Sequence, residues 1–293
     1  MSRAALLFAM SLLLAGCGPR QLEPDPSAEC DLCDQWNEPT DPFRIYGNTW
    51  YVGTDGLASI LIETDDGLVL IDGGLPQSAA VIVENIRTLG FDPLAIRAIL
   101  VSHPHFDHAG GINALQRLTR ADVYTSSAGL ATLTSGRLQQ GDPQYVADSD
   151  AGSFPPVQNV VAVGDGEAVT VGSVVVRAVY TPGHSAGGVT WTWESCALGT
   201  CYDVVYADSL TAVSATGFSF AASGAAAELT DSAGRIADLD CDILLSPHPF
   251  FFGMHDKLER IEAGNPFVND LACVFYAEEM LGWLEQRLEA EKR

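Results

Sequence analysis

The sequence predicts an α/β fold, a sandwich of two central sheets with helices outside, in one globular domain. Three observations carry this prediction. Short apolar runs bounded by Gly, Pro and Asp recur along the chain, as strands do. Helical segments with their own start and stop signals lie between them in both halves. The chain has 293 residues, 47% of them hydrophobic, enough to bury a sizeable core and too many for a disordered polymer.

The elements follow in order. Ala58–Ile62 and Leu68–Ile71 flank Asp65-Asp66-Gly67 and read as a hairpin. Gly73-Gly74 turns the chain into a helix from Pro76 to about Leu89, with Pro at its start and Gly90 past its end. Ile96–Val101 is a buried strand, Gly111–Leu118 a short helix and Ala121–Thr125 a strand. Residues 137–158 are polar and rich in Pro and Gly, a long loop of the functional or mobile kind. Strands are expected at Ser173–Tyr180, Val189–Trp193, Asp203–Ala207 and Asp242–Leu245, with a helix around Ala226–Asp238 before the last. Asp270–Glu291 closes the chain as an amphipathic helix, with Leu271, Val274, Phe275, Leu281, Leu284 and Leu288 on its buried side.

The first 42 residues stand apart from this pattern. Arg3 precedes an apolar run from Ala4 to Leu14 that spans roughly 17 Å as a helix, short of the ~30 Å hydrocarbon core of a membrane. Residues 1–16 therefore read as a signal peptide. Its end, Leu14-Ala15-Gly16-Cys17, is similar to a bacterial lipobox, which makes Cys17 the expected site of lipidation. Gly18 follows, with no Asp to signal inner-membrane retention. The expectation is an exported, periplasmic lipoprotein anchored through Cys17, at the outer membrane. Residues 17–42 read as a flexible tether and 43–293 as the folded domain.

Setting Cys17 aside, six of the seven cysteines remain, an even number suited to disulfides in an oxidising compartment. Cys196 and Cys201 bracket Ala-Leu-Gly-Thr and could staple a hairpin; Cys241 and Cys273 would close a long loop. Cys30-x-x-Cys33 could be a redox or zinc pair, but no second C-x-x-C accompanies it, and a local disulfide is preferred. Sequence alone leaves all the pairings open.

With 15 basic and 38 acidic side chains, the formal charge is −23, and Lys257 and Lys292 are the lysines. Nucleic acid and anionic membrane surfaces are excluded as partners, since both call for clustered Lys and Arg.

The histidines carry the chemistry. His103-Pro104-His105-Phe106-Asp107-His108 places three of the six within one short stretch directly after the strand ending at Val101. In extended backbone His103 and His105 point the same way and can share a metal, while Asp107 and His108 can reach a second. Imidazole and carboxylate suit zinc where thiolate is absent. His184 and His248 also follow apolar strands, so a packed fold can gather five histidines at one edge into a dinuclear site. His255 opens a charged segment and reads as a solvated surface residue.

These residues resemble the metallo-β-lactamase superfamily, whose hallmark is H-x-H-x-D-H with two later histidines, and more narrowly class B β-lactamases of the third subclass. The resemblance runs from about Phe43 onward. It rests on Ser102–Gly111 (SHPHFDHAGG), Thr181–Gly188 (TPGHSAGG), Tyr206–Thr211 (YADSLT), Ser246–Pro249 (SPHP), Asn265–Val268 and the Cys241/Cys273 pair. It implies a four-layer αββα sandwich and two Zn²⁺ per chain, one on His103, His105 and His184, the other on Asp107, His108 and His248. Where the best-known subclass supplies a cysteine ligand, this chain carries Ser209. The implied activity is hydrolysis of the β-lactam amide of penicillins, cephalosporins and carbapenems, an antibiotic-resistance chemistry. Asp107 would orient a zinc-bound hydroxide, no covalent intermediate would form, and Ser209 and Thr211 would bind the substrate carboxylate. The partner is then a small molecule and the chain a monomer. Glyoxalase II-like thioesterases and lactonases of the same superfamily use a bridging aspartate, for which Asp208 is the candidate; the third subclass leaves that aspartate off the metal, and that reading is followed here. A lactonase or thioesterase, and a non-catalytic zinc-binding lipoprotein, are the alternatives. Tyr145, Phe154, Phe218 and Phe220 are equally candidates for the cleft wall or for packing.

Overall fold

In the computed structural model, which describes residues 20–260 and 264–293, twelve strands form two sheets. Residues 1–16, expected to be a signal peptide, and Cys17 lie outside the described residues. The first sheet holds β1 (Phe43–Tyr46), β2 (Thr49–Tyr51), β3 (Ile60–Thr64), β4 (Gly67–Ile71), β5 (Ile96–Leu100), β6 (Asp122–Thr125) and β7 (Val160–Ala162), in that spatial order. β1 to β4 pair antiparallel and β4 to β7 parallel. The second sheet runs β12-β11-β10-β9-β8, from β8 (Ala168–Val171), β9 (Val174–Tyr180), β10 (Val189–Ala197), β11 (Thr200–Tyr206) and β12 (Ile243–Leu245). Its pairs are antiparallel except β11 with β12.

Side-chain alternation along the strands makes the layers. Ile60, Ile62, Val69, Ile71, Ala98 and Leu100 face inward and meet Val176, Ala178, Trp191, Trp193 and Val205 of the second sheet. The alternate residues Leu61, Leu68, Leu70 and Ile99 face outward and are covered by two helices, Ser78–Thr88 (Ile82, Val83, Ile86) and Ile112–Thr119 (Leu115, Leu118). Ala225–Ala237 and the last helix, Ala272–Glu291, cover the second sheet. This is the αββα sandwich expected, in one domain.

Two expectations are corrected. Residues 20–42 are laid along the domain and do not form a free tether. Arg20 donates to the carbonyl oxygens of Leu118 and Thr119, Asp25 pairs with Arg117 at 2.9 Å, and Ala28 exchanges two hydrogen bonds with Gln77. A short helix, Cys33–Trp36, follows, and Cys33 is buried against Leu57 and Leu75. The composition of this stretch suggested a solvated linker because its partners are all distant in sequence. The last helix buries Leu284 and packs Leu281 and Leu288 on the core as expected, but its first two turns present a different face. Ala272, Cys273, Tyr276, Ala277, Met280 and Leu284 are buried, whereas Leu271 and Phe275 are 49% and 53% exposed. Apolar residues on both sides left the periodicity ambiguous. The Cys241–Cys273 disulfide and the Tyr276 hydroxyl, which donates to Asp208 O at 2.7 Å, fix the rotation.

The structure also pairs Cys30 with Cys33 and Cys196 with Cys201. Strands β10 and β11 run further than expected, through the facing pair Cys196 and Cys201, to a turn at Leu198-Gly199 with positive φ at both residues. Cys241–Cys273 spans 32 residues and ties the last helix to the start of β12. A closed loop of that length constrains the unfolded chain by roughly 3–4 kcal/mol. The double variant C241S/C273S is expected to lose about that much in urea denaturation, while C196S/C201S, which closes a tight hairpin, loses less.

Candidate metal centre

Each chemically loaded residue sits just past the carboxyl end of a strand. β4 ends at Ile71 and delivers Asp72; β5 ends at Leu100 and delivers Ser102, His103, His105, Asp107 and His108. β9, β11 and β12 deliver His184, then Asp208 and Ser209, then His248. The H-x-H pair stays extended, and a one-turn helix, Phe106–Ala109, then swings Asp107 and His108 back over it.

The expected ligands come together in two groups. Ring centroids of His103, His105 and His184 lie 4.7–4.9 Å apart, with their ligand atoms mutually within 4.8 Å. His108 is 4.9 Å from His248 by ring centroid, and Asp107 Oδ2 lies between them, 3.2 Å from His108 Nε2 and 3.6 Å from His248 Nε2. His103 and His108 join the groups at 4.4 Å.

Four of the five rings have their outer nitrogen held, which fixes tautomer and orientation. His103 Nδ1 donates to Asp208 Oδ1 at 2.7 Å, and His105 Nε2 to Asp142 at 3.1 Å. His184 Nδ1 donates to Thr211 O at 2.8 Å and His248 Nδ1 to Gly56 O at 3.3 Å. His108 Nδ1 has Asp72 Oδ2 at 4.0 Å. Asp72 is itself fixed by the Ser102 amide and hydroxyl and by the Tyr206 hydroxyl, at 2.6–2.8 Å. A lone pair therefore remains on the inner nitrogen of His103, His184 and His248, while Nδ1 of His105 faces the Gln144 amide at 3.2 Å.

The electrostatics agree with this reading. Burial and the neighbouring imidazoles push His103 well down; burial and His105 hold His184 at about 3, and burial and His108 hold His248 at about 4. These rings are neutral and able to ligate at physiological pH. Asp107 and His108 form the exception. Burial opposes both charges, yet His108 draws the Asp107 carboxyl well below the usual range while Asp107 and Asp72 raise His108. This pair holds a proton where a dication would displace it. His103 Nε2 and His108 Nδ1 are buried without a hydrogen-bond partner. Orphaned nitrogens beside an ionised carboxylate, in a set with no thiolate, fit zinc.

Asp208 is fully buried, and its Oδ2 has no partner. A Cβ at Gly188 would come 2.4 Å from that oxygen, so the second glycine of Ala-Gly-Gly leaves room for the carboxylate. Ser209 Oγ is also buried and unpartnered. Thr211 is committed differently from expectation: its carbonyl holds His184, and its hydroxyl lies 3.1 Å from the same nitrogen. Phe154 and Phe220 are core residues, 6% and 0% exposed; Phe218 packs on Phe220 at 5.1 Å and Tyr145 is on the surface. His255 is exposed, as expected, but pairs with Asp55 at 2.8 Å beside the loop that holds His248.

Sequence reasoning missed four participants. Asp142 and Gln144, from the long loop, take the two nitrogens of His105, Gln144 donating to Nδ1 at 3.2 Å. With Phe106, Leu138, Ala151 and Gly152, Gln144 lines a cavity of about 120 Å³ beside that ring. Trp36 packs 5.4 Å from the His248 ring. Asp72 had a signal: an acid between a buried strand and Gly-Gly has reason to be there. Trp36 and the two loop residues had none, since nothing local separates Asp142 from Asp148 or Asp150.

Buried histidines and an ionised aspartate gathered at the shared edge of two sheets are the equipment of a metal-dependent hydrolase. The chain belongs to the metallo-beta-lactamase superfamily, whose family model matches residues 52–248, and membership implies zinc. Among solved structures, the chain is similar to the Rm3 metallo-beta-lactamase, with 42% identity, a TM-score of 0.87 and coverage of 91% of this chain and 100% of that one. It is also similar to MEM-A1, a subclass B3 metallo-beta-lactamase from a soil metagenome library, with 44% identity, a TM-score of 0.84 and coverage of 88% and 98%. An N-acyl homoserine lactonase of Bacillus thuringiensis is 27% identical over 150 residues, 43% of this chain and 54% of that protein. The chain spans about half the length or less of the first curated relatives it matches.

Proposed function

We propose that the protein hydrolyses the amide of β-lactam antibiotics, using two zinc ions: one held by His103, His105 and His184, the other by Asp107, His108 and His248. The observation that carries this reading is the position of Asp208. Its Oδ1 is spent on the outer nitrogen of His103, which favours an orienting role over the bridging one a lactonase or thioesterase would need. The similarity to the two β-lactamases over nine-tenths of the chain supports the same choice.

Bound zinc supplies Lewis acidity and brings the pKa of water towards neutrality. The protein's own groups do the rest. Asp107, ionised by its histidine neighbours, holds a proton of the attacking water and fixes its direction. Ser209 and Thr211 are assigned to the substrate carboxylate; Ser209 Oγ has no internal partner, and its burial means that the 208–217 segment must shift for it to donate. Water reaches the carbonyl directly, so no covalent intermediate is required. Export through the signal segment and anchoring at Cys17 belong to the same reading, supported by Leu14-Ala15-Gly16-Cys17.

The test is turnover of a penicillin, a cephalosporin and a carbapenem beside a homoserine lactone and a glutathione thioester, with and without chelator. Lactam hydrolysis is expected, lost on chelation and restored by zinc, with two zinc ions per chain by elemental analysis. Turnover of the lactone or thioester alone would install the second reading, which the lactonase relative favours. Activity surviving exhaustive metal removal would end both.

A further inference from the structure

The segment from Asp208 to Gly217 carries Ser209 and Thr211 but contains no helix or strand, so its own backbone does little to hold it. One guanidinium compensates. Arg287, in the last helix, donates to Ala212 O at 3.1 Å, Ser214 Oγ at 2.8 Å and Phe218 O at 3.1 Å, and lies 5.0 Å from the Phe220 ring centroid. Glu291, one turn on, accepts from Arg287 Nε at 2.9 Å. Its carboxylate also accepts from the Phe220 and Ala221 amides and the Ser219 hydroxyl, at 2.8–3.1 Å.

Both ends of this clamp lead to histidines. Thr211, next to the gripped Ala212, accepts from His184 Nδ1. Ala215, next to the gripped Ser214, donates its amide to Pro143 O at 2.9 Å, and Pro143 follows Asp142, which holds His105. Two loops, each holding a different histidine, are thus pinned to one another and to the last helix. Arginine suits the task, since its planar fork carries five donors and reaches four acceptors at once, while an ammonium has three.

We propose that Arg287, braced by Glu291, is a positioning residue that keeps His184 and His105 aimed at their shared metal and keeps Ser209 and Thr211 in register with the substrate carboxylate. The inference rests on the metal reading of the histidine cluster, and on β-lactam turnover only for its substrate arm.

The test compares wild type, R287A, R287K and E291Q as zinc-loaded full chains. Zinc release to a chelator is expected to be about tenfold faster for one of the two ions in R287A, at the lower end of what loss of an outer-shell partner costs. The visible spectrum of the cobalt-substituted protein is expected to shift, and the Ala215 amide to exchange faster with solvent. KM for a β-lactam is expected to rise more than kcat falls. R287K is expected to lie between wild type and R287A, and it carries the comparison if the alanine variant does not fold. A lower melting temperature with unchanged zinc release, cobalt spectrum and KM would reduce the clamp to a fold-stabilising contact and overturn the proposal. Wild-type protein that binds zinc but turns over no lactam would sink the functional reading while leaving the release, spectral and exchange comparisons decisive for the clamp.

Discussion

Asp107→Ala is expected to lower kcat for lactam hydrolysis by about 10³-fold, roughly 4 kcal/mol of barrier. Two losses combine in that number. The carboxylate sits 3.2 Å from His108 Nε2 and 3.6 Å from His248 Nε2, so its removal takes a negative ligand from the second metal position. It also removes the group that directs the attacking water, a role worth about 10²–10⁴-fold on its own. Asp107→Asn separates the two, because the amide keeps the shape but neither the charge nor the basicity; it is expected to fall close to the alanine variant. The fold is not at stake. Asp107 lies on a one-turn helix at the rim of the sheets; His108 favours its ionised form there, so the metal-free variant is expected to lose the modest stabilisation of that pair without unfolding. Turnover should therefore be measured per bound zinc, alongside circular dichroism. A variant with full zinc content and turnover within tenfold of wild type would remove Asp107 from the mechanism.

The candidate ligand set, which the structure gathers in one place, was legible in the sequence for a physical reason. Metal sites at strand ends draw several donors from one short stretch, and His103 to His108 compresses four of them into a single turn after a strand that apolar content alone identifies. His184 and His248 were legible because they repeat the same context, an apolar strand followed by a short loop. What holds these ligands was mostly not legible. Asp142, Gly56 O and Thr211 O act through single contacts whose partners are distant in sequence, and backbone carbonyls leave no trace in residue type. The same limit explains the leader. Trp36 and Cys33 look like part of a polar tether until the cavity between Leu57, Leu75 and Phe106 exists to receive them. For the last helix the composition was misleading, since Leu271 and Phe275 are as apolar as the residues that are buried, and only the disulfide and the Tyr276 bond decide the rotation.

Asp208 offers the sharpest separation between the two chemistries this fold could run. As an orienting residue it needs one thing only, an acceptor 2.7 Å from His103 Nδ1. Asp208→Asn retains that acceptor in its amide oxygen and is expected to keep turnover and zinc affinity within about tenfold of wild type. Asp208→Ala leaves a buried imidazole N–H unpaired and free to tip, and is expected to lose about 10–100-fold in zinc affinity or activity. A bridging ligand behaves otherwise. An asparagine there would forfeit the negative charge shared by two cations, and both variants would fall together. Stability separates the roles again. Burial, and then the Asp72 carboxylate, push the Asp208 carboxyl well upward, so the protein without metal bears a cost for this acid. The amide removes that cost and turns its NH₂ toward Gly188, where the Thr181 carbonyl oxygen also lies. The metal-free asparagine variant is thus expected to melt no lower than wild type, while its loaded form keeps working. If Asp208→Asn is as inactive as Asp208→Ala at full zinc occupancy, the aspartate is a ligand, and the lactonase-type reading of the site takes precedence over the β-lactamase one.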